Sequence, residues 1–444
     1  MPQGVSRICC VAQEFVNKGQ VPIKISEMSL EQIRDSSYMR SVRGALADGR
    51  RIPACAHCWH QEDRSEASTR QLWNGRLVEA AARVRERIRQ GLDVTEPLPV
   101  EYIQIGLGNK CNLACRMCNA GYSSRIAQDL VHSQWAPSAE IPGENAGAPV
   151  ALRPNWDPAV PWFEQEEFLR GDLLESASSL KLLAVMGGEP LLSDAFARLL
   201  EEYVARGHAK NMGIRINSNL FHNEGRIRKV MDSLVRFWYG SVGASVDGYG
   251  AVYEYIRYPA RWDIVSRNIR LVRSLTEQNP NLVLTMDTVV QPYNCLSLVD
   301  LLRFADDLDV ECNPHVIEHP WFMAMQTVPR ELRLVAAQRL RTYADTPGAP
   351  GPRAINRQHA ARITRHFEMI EDDDQTPGAR RHFVEFTRAL DQSRRQDLRA
   401  AVPELADALL ASPQPAPEPK RFLEPKGFLK SIHALRKFLT EVAR

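Results

Sequence analysis

The sequence has no run approaching the roughly 18–20 consecutive apolar residues that cross a bilayer, so no membrane span is expected. Its opening stretch, Met1 to Gln20, lacks the basic-then-apolar pattern of a secretion signal, which makes the cytoplasm the expected location. Charge of one sign is also missing. Lys and Arg total 56 against 54 Asp and Glu, a formal net charge of +2. That balance gives no global basis for binding nucleic acid or an anionic surface. No internal repeat is visible. What is present is a chain of 444 residues, enough for two or three domains and a sizeable core, and nine cysteines. In a reducing compartment, clustered cysteines read as metal ligands or redox groups before they read as disulfides. Seven of the nine fall in three tight groups: Cys9-Cys10, Cys55-Cys58 and Cys111-Cys115-Cys118.

From Glu101 to about Pro320, short apolar runs alternate with amphipathic stretches. The runs Tyr102–Leu107, Lys181–Met186, Gly213–Asn217, Ser241–Val246, Val283–Val290 and Val310–Ile317 predict strands. Asp194–Arg206, Arg226–Phe237, Trp262–Thr276 and Leu296–Leu308 predict the helices between them. Strands joined by crossover helices argue for a parallel α/β sheet. Six strands are too few for the eight of a closed barrel, so an open, partial (βα)6 barrel is expected. The first crossover is rich in Pro, Gly and Ala between Ala136 and Pro161, and reads as an irregular loop. The expected division is a cysteine-bearing segment over 1–98 with a helical tail (Arg64–Gln90), the partial barrel over 99–325, and a helical extension over 326–411. A Pro-rich linker over 412–420 and a final helix over 421–444 follow.

Cys111-Asn-Leu-Ala-Cys115-Arg-Met-Cys118 comes directly after the first strand, where βα-loops build the active face of barrel enzymes. Three thiolates within eight residues can wrap one corner of an iron–sulfur cube. A [4Fe-4S] cluster takes four ligands, so three from the loop leave one iron open. A structural zinc site, with its fourth ligand from His57, His60 or another loop, fits the same spacing.

At these residues the sequence resembles the radical S-adenosylmethionine (SAM) superfamily, whose signature is C-x3-C-x2-C in this position. Met117 stands where that family usually has an aromatic residue. The resemblance implies a [4Fe-4S] cluster on Cys111, Cys115 and Cys118, and SAM bound at the open iron and cleaved to a 5′-deoxyadenosyl radical. Gly187-Gly188-Glu189-Pro190 follows the second strand and resembles the family's GGEP motif. Two glycines let backbone approach a ligand closely, and a carboxylate suits an ammonium. Asn217-Ser218-Asn219 at the third strand end, and Ser245 and Asp247 at the fourth, look like the segments that hold the SAM ribose and methionine. Arg257 resembles an arginine that pairs with the SAM carboxylate, with a local salt bridge as the equal alternative. Gln291 and Asn294 are weaker candidates of the same kind.

Cys55-Ala-His-Cys58 with Cys9-Cys10 is a second metal-site candidate, and a C-x2-C alone suits zinc, iron or redox pairs. The following Trp59, Glu62, Ser68, Arg70 and Asn74 are similar to a radical SAM subgroup with a twitch-type (SPASM-like) auxiliary domain before the barrel. With Asp391, Arg394 and Pro403-Glu-Leu, that resemblance covers about residues 7 to 410. It implies a second iron–sulfur cluster on Cys10, Cys55 and Cys58, with Cys9 undecided and zinc open. It also implies a reductant such as flavodoxin or ferredoxin, and a peptide, sugar or other small-molecule substrate. Cys295 and Cys312 read as core residues, as free cysteines usually are. His315 and His319 receive no role, and Asp287 is an acidic residue inside a strand that could face substrate.

In the final helix Phe428, Ile432, Leu435, Leu439 and Val442 form one narrow apolar seam. From Lys420 to Arg444 seven Lys or Arg face two Glu. Docking on the chain's own body, a protein partner, and a membrane surface are the three readings. Aromatic interleaving for nucleic acid is absent.

Overall fold

A computed structural model describes residues 4–410 apart from 13, 20, 64–66, 136–167, 348–349 and 375. The expected irregular crossover, the Pro-rich linker and the final helix therefore lie largely or wholly outside the described residues. The six expected strands are all present as β1 (Tyr102–Gly106), β2 (Leu182–Met186), β3 (Gly213–Ser218), β4 (Tyr239–Ser245), β5 (Leu282–Val290) and β6 (Glu311–Val316). They pair in sequence order, every neighbour parallel, with β1 and β6 as the two edges. The α/β sheet is thus six-stranded and open.

Side-chain alternation assigns the two faces. Leu183 and Val185, Ile214 and Ile216, Val242 and Ala244, and Met286 and Cys312 are buried on one face. They join one core with the crossover helices. Gln104, Met186, Arg215, Asn217, Ser245, Thr285, Asp287 and Asn313 alternate with them and remain partly accessible. The second face is therefore open and polar.

The crossovers form where local signals agree. In Asp194–Ala205, Ser193 caps the N-terminus by accepting from the Phe196 amide, and Gly207 follows the helix in a left-handed conformation (φ 78°). Phe196, Leu199, Leu200 and Tyr203 recur at helical spacing and are buried, each stabilising the packing by about 1.5–3 kcal/mol.

Helices Arg330–Ala344, Pro352–Met369 and Thr376–Arg394 follow the sheet, and their Leu340, Phe367, Phe383 and Leu390 join the core of the strands. The segment expected as one helix over Asp397–Leu410 is two, Leu398–Ala401 and Pro403–Leu410. Val402, at φ −140° and ψ 72°, is held out of the helical region because its successor is proline.

The N-terminal segment has a small core of its own, Val16, Ile23 and Ile33, partly covered by Tyr38 and Met39. Two helices there, Leu30–Arg34 and Ser37–Ala47, have no counterpart in the sequence reading. The expected helical tail resolves into Thr69–Arg76 and Val78–Arg89, which meet at the non-helical Leu77.

Candidate functional site

The cysteine loop leaves β1 and is held by backbone on all sides. The Ala114 amide donates to the Tyr258 carbonyl at 2.7 Å and the Arg116 amide to the Ile256 carbonyl at 2.9 Å. Ser123 Oγ donates to the Leu113 carbonyl at 2.6 Å, and Asn109 Nδ2 to the Ala120 carbonyl at 3.1 Å. Arg116, between the second and third cysteines, is fully buried. Its guanidinium reaches the Tyr255 carbonyl, Asp391 and Gln396, and lies 3.6 Å from the centre of the Tyr255 ring. The loop is a built feature, fixed by its own flanks, by residues 255–258 and by Asp391 and Gln396.

The three thiols share a low-dielectric neighbourhood. Burial, and then Cys115, raise Cys111 above the ordinary thiol range. The same two causes push Cys118 up to about 12. Burial raises Cys115 against the opposing pull of Arg257. Arg257 donates to Asp247 at 2.7 Å, and its Nη1 stands 4.0 Å from Cys115 Sγ. Among the described residues no three His, Cys, Asp or Glu side chains converge closely enough to hold one metal ion.

Gly187 and Gly188 have φ of 86° and 50°. A Cβ on Gly188 would lie 2.5 Å from the Lys110 carbonyl oxygen, and one on Gly187 would lie 2.9 Å from Gly106 Cα. The backbone these glycines admit is that of Gly106 and Leu107 at the end of β1 and of Asn109 and Lys110, just before Cys111. Glu189 is buried and already takes three donors: the Leu191 amide, Ser218 Oγ and the Asn219 amide. It ties the ends of β2 and β3 together.

The Asn217-Ser218-Asn219 segment splits. Ser218 and Asn219 turn to Glu189, and Asn219 Nδ2 donates to Asn112 Oδ1 at 2.8 Å, inside the cysteine motif. Asn217 faces the open side of the sheet and donates to Asp287 at 2.6 Å. Asp247 is buried, accepting from Arg257 and, at 2.7 Å, from the Val289 amide. Asn294 donates to the Asp247 carbonyl at 2.9 Å and binds Gln291 through its Oδ1. Ser245 lies on the open face beside Asp287 in register. Pro190 begins a short 3-10 turn against the loop. Asn112, Arg116 and Tyr253 escaped the sequence reading. Tyr253 Oη is buried without a hydrogen-bond partner among the described residues, while Arg257, Cys115, Asp247 and Glu189 all act on it.

The N-terminal cysteines also share one neighbourhood. Cys10 is raised by burial and then by Cys9, with a smaller push from Cys58. Cys55 is raised by burial, Cys9 and Cys58. The helix carrying Cys58 is locked to the next one. Glu62 takes two bonds from Arg70 and one from Ser68, and Arg70 lies 4.4 Å from the centre of the Trp59 ring. Trp73, from that next helix, stacks on Tyr102 at 4.2 Å, and Cys10 acts on the same tyrosine. Cys295 and Cys312 are both buried, Cys312 on the covered face of the sheet.

No protein-family model matches the chain, and neither does any curated protein sequence. Among solved structures, the chain is similar to native anSMEcpe with bound AdoMet at 14% identity and a TM-score of 0.37. The match covers 56% of this chain and 61% of that one, so this chain spans about three-fifths of its length. It is also similar to Streptococcus suis SuiB bound to S-adenosylmethionine (12%, TM-score 0.34, 88% and 71% covered). SuiB bound to its precursor peptide SuiA matches at 12% and 0.34, covering 91% and 74%. TM-scores this low do not establish a shared fold, so a functional reading rests on the residues themselves.

Proposed function

We propose that this chain is a radical SAM enzyme. The observation that carries the reading is the placement of Cys111, Cys115 and Cys118 on one buried loop at the carboxyl end of β1, directly against Gly187-Gly188-Glu189. A parallel sheet gathers its site at that end.

The donor set fits a [4Fe-4S] cluster on the three thiols, and Cys10, Cys55 and Cys58, with Cys9 beside them, fit a second one. Bound there, the first cluster together with SAM supplies one-electron reductive cleavage and a radical able to abstract hydrogen from substrate. The chain's own groups set the conditions for that chemistry. Arg257 places a buried cation beside Cys115, offsetting the negative charge of an iron–thiolate centre. The orphan Tyr253 hydroxyl is a donor available to a polar group of SAM. Glu189, accepting from Ser218 and the Asn219 and Leu191 amides, ties the ends of β2 and β3 beside the cysteine loop and keeps acceptor capacity for the SAM ammonium. Leu113, Ala114 and Cys115 are buried and limit water on the inner side of the loop.

A peptide or natural-product intermediate is the proposed substrate, a reductant such as flavodoxin or ferredoxin the proposed electron source, and the cytoplasm the proposed location. Anaerobic reconstitution tests the assignment: about seven to eight irons per chain are expected for two clusters. Added SAM should change the electron paramagnetic resonance spectrum of the reduced protein, and replacement of Cys111 should remove that change. Zinc in place of iron in anaerobically purified protein would contradict the proposal.

A further inference from the structure

The open face of the sheet carries a charged network that the cysteine chemistry does not use. Arg215 sits mid-strand in β3 and donates to Asp287 of β5, at 3.1 Å to one oxygen and 3.4 Å to the other. Asn217 adds a bond to Asp287 at 2.6 Å and Asn313 of β6 another at 3.4 Å. The carboxylate thus collects donors from the strands on either side of its own sheet region, two from β3 and one from β6, and its charge is spread among them. Gly243 of β4 makes room for this, since a Cβ there would overlap the Asp287 carboxylate and crowd Asn217. A missing side chain in mid-strand weakens a sheet, so its use here is to admit the network.

The network leaves donors open. Asp287 engages the guanidinium through Nη2 alone, and the Nε and Nη1 donors meet no acceptor among the described residues. The Arg215 side chain is 36% exposed. Thr285 Oγ1, on the same face, is buried without a hydrogen-bond partner. Across the sheet lies Tyr102, on which Arg215 and Arg76 both act with positive charge. Burial pushes its pKa up to about 12, and its protonated hydroxyl donates to Gln104 Oε1 at 3.1 Å. The groups that act on His315, at the end of the same face, are Asp287, Arg362, Arg215 and His359.

We propose that Arg215, oriented by Asp287, binds a carboxylate of the substrate on the open face of the sheet. The Nε–H and Nη1–H donors that Asp287 leaves free can each give a charge-assisted bond to a carboxylate oxygen. A phosphate dianion suits the place less, because Asp287 stands beside Arg215 and repels a second charge more than a first. Arg215 is three residues before Ser218, so the anchor lies about 10 Å below the strand end that meets the cysteine loop. The anchored molecule would reach toward the cysteines with the carbon that reacts. The inference rests on the radical SAM reading for that last step only; the binding itself does not require it.

The test uses reconstituted full-length protein without reductant, and measures binding by calorimetry. Two probe pairs serve: glutarate against glutaramide, and acetyl-Ala-Gly-Ala as free acid against its carboxamide. The acids should bind, and the amides should bind at least about tenfold more weakly. Which acid binds tells a small metabolite from a peptide terminus. Arg215→Gln should erase the preference and Arg215→Lys should restore part of it. Gly243→Ala, which keeps the arginine and displaces Asp287, should weaken the acids as well, and covers the case in which the glutamine variant fails to fold. Equal binding of acid and amide, no binding of any probe, or an unchanged preference in Arg215→Gln or in Gly243→Ala overturns the proposal. Failure of the same wild-type protein to cleave SAM would instead remove the radical SAM reading and leave the binding result standing.

Discussion

Arg394 donates to the carbonyl of Ala114 at 2.8 Å, reaching across 280 residues of sequence into the middle of the cysteine motif. The same guanidinium meets Asp129 at 3.1 Å and His132 Nδ1 at 2.7 Å. The last long helix of the described chain is therefore part of the cysteine site. Replacing Arg394 with methionine leaves the Ala114 carbonyl and Asp129 without their cation. A stability loss of about 2–4 kcal/mol is expected in chemical denaturation, with reduced iron retention after reconstitution. An unchanged midpoint and full iron would show the contact to be incidental.

Asp391 holds a second buried cation of the cysteine loop. It accepts from Arg116 and from Tyr255 Oη at 2.8 Å, while Arg116 is fully inside the protein. Removing the carboxylate strands a buried charge, so Asp391→Ala should cost about 3–5 kcal/mol. A double-mutant cycle with Tyr255→Phe should show coupling, since both act on one carboxylate. Additive losses would count against a shared network.

Two glycines with similar backbone make a controlled comparison. Gly188 and Gly207 both have positive φ, 50° and 78°, yet a Cβ meets the Lys110 carbonyl at the first and nothing within 4 Å at the second. Gly207→Ala should cost about 1 kcal/mol, the ordinary charge for this conformation. Gly188→Ala should cost distinctly more and disturb the cysteine loop, read as loss of bound iron. Equal effects would mean that the close approach of the two loops does not hold.

His132 gives a pH signature. It is buried beside Arg394, and burial first, then the Arg394 and Arg116 charges, lower its pKa well below the ordinary 6.5. The unfolded chain takes up a proton near 6.5 that the folded chain refuses, so stability rises with pH up to that value and falls below it. The slope from this residue approaches about 1.4 kcal/mol per pH unit below 6.5. His132→Asn should flatten that part of the stability–pH curve, and an unaltered slope would assign it to other groups.

The strands were legible because a parallel sheet buries one apolar face against helices and leaves runs such as Leu182–Met186 and Leu282–Val290 in the sequence. The cysteine spacing and the glycine pair were legible for the same reason: they are local. What they touch was not. Nothing near Arg116 announces Asp391, 275 positions away. The role of Gly188 could not be told from its neighbours, because the atom it accommodates belongs to Lys110. Helix Ser37–Ala47 escaped since its support comes from distant partners, such as Arg43 donating to the Thr95 carbonyl at 2.6 Å. Arg215 and Asp287 carried a visible signal, two opposite charges inside strands, which becomes informative only once β3 and β5 are known to share a face.

The central claim is that the thiols of Cys111, Cys115 and Cys118 hold the centre that cleaves SAM. Anaerobically reconstituted protein, given SAM and a strong reductant, should release 5′-deoxyadenosine, measured by chromatography and mass. The Cys111→Ala protein, prepared identically, should release none above background. Equal release from the two, or none from the wild type with its iron in place, contradicts the account.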